Sequence, residues 1–397
     1  MQPLTASPQV TNRGPKAARG RWIWVLSGTV TFITIGTLGG LGIARAARPP
    51  SGGQPPQSVL PARTVTVTQP VTALNVRSYG APIKVTTVPR GPVRITETIV
   101  YQDVVPAVTS TVSHGLLRLA APACASTDCS VGFSVSVPSG VSVTAAADGG
   151  GVTVVGTGAA NIDSGGGPVY AAGVSGRLAV NADGGEITVS NVAGGILDSG
   201  GGPVTAGGIN GKLTVHAEGG GVTVSNAPTA SIDSGGGPVY AAGIGGALSV
   251  SAEGGGVTVT GAGPTQVDSG GGPVTASTIR GPLGVNAEGG GVQANGVTGP
   301  LTVDTGGGPM SATSIGSSTA TVQAQGGSVT IGFATAPTSV RVDTGGGNAS
   351  LSVPGGPYAV TADSGGSGES VLIPTSANAT SAISVSTQGG DLQIGPA

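Results

Sequence analysis

The sequence predicts an all-β protein built as a parallel β-solenoid, and three observations carry that prediction. From Asp148 to the C-terminus, an acidic or amide residue followed by a glycine cluster returns every 15 to 25 residues. In the best-kept stretch the spacings alternate 15 and 20, so the unit is a doublet of 35 residues. The third observation is parity. The first inward residue after the turn is Val222, four positions past Glu218, and Val239, six positions past Asp233. Both offsets are even, so both loop lengths keep the same residues on the inside, where a one-residue slip would turn every Val outward.

A repeat this short cannot fold alone. A half-unit buries five or six small aliphatic side chains, worth about 1.5–3 kcal/mol each. Ordering its backbone costs about 1–2 kcal/mol per residue, and more at glycine. The deficit has to be met by stacking on neighbouring units, which is the logic of a solenoid. Fourteen anchors make thirteen intervals. At one coil per interval and ~4.8 Å per rung, the rod is about 60 Å long.

Each segment follows in order. Residues 1–21 read as a short polar tail carrying Arg13, Lys16, Arg19 and Arg21. Residues 22–44 are apolar and free of charge, and at 1.5 Å per residue they span about 34 Å as a helix, enough for a bilayer core. Trp22 and Trp24 sit at the interface, and four preceding basic residues against Arg45 and Arg48 place the N-terminus inside. A cleaved signal peptide with its cut near Ala46 is the competing reading. Gly36 and Gly40 form a GxxxG pair suited to weak helix dimerisation. Residues 45–62 are a Pro/Gly linker. Residues 63–147 hold six β-rich runs: 64–68, 74–78, 83–88, 93–101, 116–120 and 131–137. They read as an antiparallel β module that caps the first coil. Residues 148–397 are the solenoid.

Composition excludes several functions. Gly is 76 of 397 residues without recurring at every third position, so collagen is excluded. Residues 1–140 carry 12 basic and 3 acidic residues, and residues 141–397 carry 4 and 15. An acidic solenoid has no basic stripe for phosphates, so nucleic acid is not a partner. Cys124 and Cys129 are the only cysteines. Outside the membrane they are expected to form a structural disulfide that pinches a hairpin loop between runs 116–120 and 131–137.

The acids Asp163, Asp198, Glu218, Asp233, Glu253, Asp268, Glu288 and Asp304 are read as turn-capping residues that accept amides of the following glycines. If all shared one corner, carboxylates would recur at one strand spacing, a row able to hold Ca²⁺ loosely. Turn capping is the preferred reading, and no cofactor or metal is assigned. The glycine clusters lack the Lys-Ser/Thr of a phosphate-binding loop. His114 and His216 are the only histidines, and the solenoid bases Arg177, Lys212, Arg280 and Arg341 fall in different coils. No catalytic group is assembled, and the protein is not read as an enzyme. Tyr170 and Tyr240 occupy equivalent outward positions two doublets apart, as isolated surface tyrosines or as a glycan-stacking pair.

The run from Phe133 to Val154 (FSVSVPSGVSVTAAADGGGVTV), a strand ending in Val-Pro that leads into glycine-punctuated repeats, resembles a bacterial adhesin-labelled family of β-strand repeats, a domain family of unknown function. The cysteine pair just before it is similar to actinobacterial members. The resemblance covers roughly residues 63–397. It implies a right-handed parallel β-helix on the cell surface and no enzymatic activity. The expected function is therefore a membrane-anchored extracytoplasmic solenoid, adhesin-like or structural at the cell envelope, with cell-wall glycan or a surface protein as partner. The competing expectation is an envelope sensor that captures cationic peptides or ions on its acidic edge.

Overall fold

The structure, a computed structural model, describes residues 57–122 and 129–397. The expected tail, membrane segment, Gly36–Gly40 pair and most of the linker lie outside the described residues, as does Cys124. Every regular element among the described residues is a strand.

The first ten are β1 (Ser58–Val59), β2 (Arg63–Val67), β3 (Ala73–Tyr79), β4 (Ile83–Val88), β5 (Val93–Tyr101), β6 (Thr109–Ser113), β7 (Leu116–Ala120), β8 (Ser130–Pro138), β9 (Ser142–Asp148) and β10 (Val152–Val155). All six expected β-rich runs of the capping segment are present, three with the same bounds. The short β1 and β6 are additional. From β9 through Val329–Phe333, each strand pairs in parallel with the second strand after it, so every coil contributes one strand to each of two ladders. The strand pairs from β9–β10 to Ser339–Thr344 and Ala349–Val353 make twelve coils. Eleven steps of ~4.8 Å give a length of about 50 Å.

Strict alternation of aliphatic and small polar residues forms these strands and sends the aliphatics inward. Leu213, Val215 and Ala217 stack on Ala230, Ile232 and Ser234, and Val222 and Val224 stack on Val239 and Ala241; all ten are buried. The parity argument therefore holds in space. Volume is traded between the two ladders through six successive coils. Where one ladder supplies only Ala171, Ala206 or Ala241, the other supplies Ile162, Leu197 or Ile232; coils with Val189, Val224 or Val259 have Val180, Val215 or Val250. Close packing at constant volume accounts for this trade.

The coil length differs from the anchor spacing. Ala160 pairs with Leu178, Leu178 with Gly195, Gly195 with Leu213 and Leu213 with Ala230, steps of 18, 17, 18 and 17 residues. Two of these coils still make 35, but none of the four is 15 or 20 long; a step of 20 appears only later, from Ala320 to Val340. The element that keeps the true period is one glycine of each cluster. Gly167, Gly185, Gly202, Gly220, Gly237, Gly255, Gly272 and Gly290 sit one above another, and a Cβ on any of them would lie within 3.0 Å of backbone in the coil before it. The opposite corner also has a column, in the left-handed region. It runs Gly173, Asn191, Gly208, Asn226, Gly243, Gly261, Thr278, Gly296 and Ser314, with φ between 53° and 67°. Gly and Asn tolerate that conformation; a β-branched Thr does so at a cost.

Both ends of the stack are closed differently from its middle. β3 and β4 already belong to the ladders, pairing in parallel with β9 and β10, so the solenoid begins before residue 148. Beyond β3 the ladder is finished by the antiparallel hairpin β6–β7. Beyond β4 it is finished by β8, then by antiparallel β5 and β2. Antiparallel finishing strands protect a parallel edge from further pairing. β7 and β8 do not pair with each other: β7 joins β3 and β6, while β8 joins β4 and β5 along its length and β3 by one bridge, Tyr79 to Val131. The expected hairpin between these runs is therefore not formed. Cys129 is buried just before β8, and the pairing with Cys124 falls outside the described residues.

At the far end chain order and spatial order part. Ser339–Thr344 pairs with Ala382–Thr387, and Ala382–Thr387 pairs in turn with Ala359–Asp363. Ala349–Val353 pairs with Leu392–Pro396, which pairs with Glu369–Val371. The last coil of the chain is thus inserted beneath the coil that precedes it. Tyr358, 1% exposed, plugs the start of the outer coil and donates its hydroxyl to the carbonyl of Pro354.

Candidate functional site

The two ladders expose chemically opposite faces. The strands that begin with β9 carry the acids. In their penultimate column stand Asp163, Asn181, Asp198, His216, Asp233, Ser251, Asp268, Asn286, Asp304, Gln323 and Asp343, one per coil. Acid therefore alternates with a neutral or weakly basic group. Asn181 donates its amide to Asp163 Oδ1 at 3.4 Å, and His216 Nδ1 lies 3.7 Å from Asp233 Oδ2.

Asp183, Glu218, Glu253 and Glu288 are not in this column. They fall two residues further along, in the turn, where their backbone amides donate to Ser164, Ser199, Ser234 and Ser269 of the coil before. In the intervening coils the same turn position is Gly200, Gly235 or Gly270. The carboxylates zigzag between two columns, and no two stack directly. Those in one column are two rungs apart, about 10 Å. In water that repulsion is about 0.4 kcal/mol, against about 0.9 kcal/mol at one rung, and salt screens it further. The arrangement also keeps carboxylates from converging as the roughly 6–8 oxygens of a Ca²⁺ site. No group of three or more His, Cys, Asp or Glu able to hold a metal gathers among the described residues.

Where a side-chain donor closes an Asp corner, it is the residue after the Asp; Thr305, after Asp304, makes no such bond. Buried Ser199, Ser234 and Ser269 donate their hydroxyls to the carbonyls of Gly202, Gly237 and Gly272 at 2.6, 3.0 and 2.8 Å. Thr344 does the same to Gly347 at 2.6 Å. Asp363 is the one anchor acid among the described residues whose carboxylate accepts a turn amide, from Gly365 at 3.0 Å. Sequence reasoning missed the serine. Its signal is the Asp-Ser-Gly-Gly-Gly string, in which Ser alternates with Ala182, Ala217, Ala252 and Ala287 of the neighbouring coils.

A cleft of about 1000 Å³ lies on this acidic face, between Lys212 and Asp304. It is lined by the uncharged column Ser231, Ser249, Gln266, Gly284 and Thr302, and by Pro264, Pro282 and Pro300.

The strands of the other ladder carry no charged residue from Val152–Val155 through Ala349–Val353. Their first outward column reads Thr153, Tyr170, Thr188, Thr205, Thr223, Tyr240, Thr258, Thr275, Gln293, Ser311 and Thr330. Tyr170 and Tyr240 thus share one column, 43% and 45% exposed. A cleft of about 390 Å³ adjoins Tyr240, bounded by Pro203, Pro238 and Pro273. Gly221 and Gly256 flank Pro238 in the same rim and leave notches on either side of it. No protein-family model matches this chain, and no curated protein matches it either.

Proposed function

We propose that this protein is a membrane-anchored, extracytoplasmic rod with an adhesin-like or structural role at a bacterial cell envelope. The observation that carries this reading is the division of one stiff stack into an uncharged hydroxyl face and an acidic face, each continuous along the coils. A surface of that kind acts by presentation, since it offers many identical weak contacts to an extended partner and multiplies them by avidity. The uncharged apolar segment at residues 22–44 supports anchoring by one helix, with a right-handed coil, as the resemblance to adhesin-labelled β repeats implies. Cys124 and Cys129 fit a disulfide formed in that oxidising compartment.

The zigzag of carboxylates supports a second reading, capture of cationic peptides as an envelope sensor. Binding of the full-length protein in lipid nanodiscs to purified envelope fractions, measured across a salt series, tests both. Salt-insensitive retention on cell wall is expected for adhesion by the uncharged face. Retention lost between low and physiological salt, together with binding to polylysine, supports the sensor. No retention at any salt refutes the proposal.

A further inference from the structure

We infer that the uncharged face binds an extended, neutral polysaccharide chain along the column from Tyr170 to Tyr240. This inference rests on the presentation reading above and names its ligand class.

Four features of the column converge on that occupant. Tyr170 and Tyr240 are about half-exposed rings held on flat sheet rather than on loops. A tyrosine offers an apolar face with a polar tip, which suits a sugar ring, whose C–H face is apolar and whose rim is hydroxyl. Between the two rings stand Thr188, Thr205 and Thr223, and the hydroxyls of Thr205 and Thr223 make no hydrogen bond to any described residue. They are available to a ligand's hydroxyls, directly or through water. Four rungs separate the rings, about 19 Å, so both are reached only by a chain and not by a single sugar.

Charge selects among chains. From Val152–Val155 onward the strands of this face carry neither sign, so nothing between the two rings pairs with a phosphate polymer or a basic peptide; the charges nearest the column are Glu186, on the rim and accepting from Thr188 at 3.0 Å, and Lys84, in the same column two rungs before Tyr170. The notches at Gly221 and Gly256 deepen the surface on both sides of Tyr240 and give a ring room to lie edge-on against Pro238. Tyr240 is therefore the stronger anchor and Tyr170 the second.

Affinity electrophoresis of the full-length protein in detergent, through gels containing hydroxyethylcellulose or glycol chitin, tests this. The expected result is retardation that persists in salt, is weakened about tenfold by Tyr240→Ala and less by Tyr170→Ala, and survives Tyr240→Phe. Asp233→Asn, on the opposite face, is expected to leave it unchanged. Circular dichroism of each variant confirms that the fold is intact; replacing an exposed side chain between Thr223 and Thr258 removes no core contact. Retardation unaffected by both Tyr→Ala substitutions, or abolished by salt, overturns the inference. Envelope retention of the double Tyr→Ala protein separates the two claims. If cell wall still holds it, the polysaccharide assignment falls and the presentation reading stands. If wild-type protein is held by neither gel nor wall, both fall.

Discussion

Substituting alanine at two adjacent glycines of one cluster has opposite expected outcomes. At Gly237 a Cβ would lie within 3.0 Å of the Gly220 carbonyl oxygen and carbon and of the Gly221 nitrogen. All three are backbone atoms held in the coil below, so none can turn aside. At Gly236 the nearest atom, the Glu218 carbonyl oxygen, is 3.8 Å away, an ordinary contact. Neither glycine has a positive φ, so the comparison isolates close approach from conformational freedom. Forcing the coils apart at Gly237 costs about 1–3 kcal/mol as overpacking. Loosening the rung that follows, where Val222 donates to Pro238 and Val239 to Gly256 at 2.9 Å, costs about 0.5–1.5 kcal/mol per bond. Reduced freedom of the unfolded chain returns about 0.4–1 kcal/mol at either position. Gly237→Ala is expected to destabilise by about 2–3 kcal/mol and Gly236→Ala to be neutral or slightly stabilising. Urea unfolding followed by far-ultraviolet circular dichroism measures both. Hydrogen exchange at Val222–Ala227 and Val239–Ile244 shows whether the loss is local, as a stacked repeat allows. Equal effects from the two substitutions would refute the close-approach account of the glycine column.

Thr278 holds φ +57° in a column otherwise filled mainly by Gly and Asn, so Thr278→Gly is expected to raise the urea midpoint by the equivalent of about 1 kcal/mol. Ser199→Ala should cost about 1 kcal/mol because it removes the donor to Gly202, whereas Thr305→Ala should be neutral or stabilising, since the Thr305 hydroxyl is buried without a partner. Thermal unfolding of the two variants gives the contrast directly. Deleting Ser199–Asp233 removes 35 residues, two whole coils, and joins Asp198 to Ser234, a residue that already stands in the Ser199 column. That protein should fold into a shorter rod with unchanged circular dichroism per residue, while deleting ten residues inside the segment should abolish its cooperative transition.

The doublet period, the inside face and the β-rich runs of the capping segment were legible because each follows from local alternation. Coil length was not, because the acids seemed the repeating element. An acid needs only an exposed position, and two such positions lie two residues apart. Alignment on the glycine that touches the coil below, Gly202 to Gly220 to Gly237, recovers the steps of 18 and 17. The same alignment puts Thr205, Thr223 and Tyr240 in one file and reveals the uncharged face. The inserted final coil had no such signal. Asp363-Ser-Gly-Gly-Ser looks like any other corner, and nothing in the order of residues says which coil ends outermost.

That insertion sets a direction for biosynthesis. During translation, Ala359–Val371 leaves the ribosome before Ala382–Pro396, yet its place is on top of them. A chain truncated before residue 382 keeps the twelve coils but lacks the layer on which Ala359–Val371 rests. The outer coil therefore docks on strands made after it, so the order of layers at this end runs against the order of synthesis.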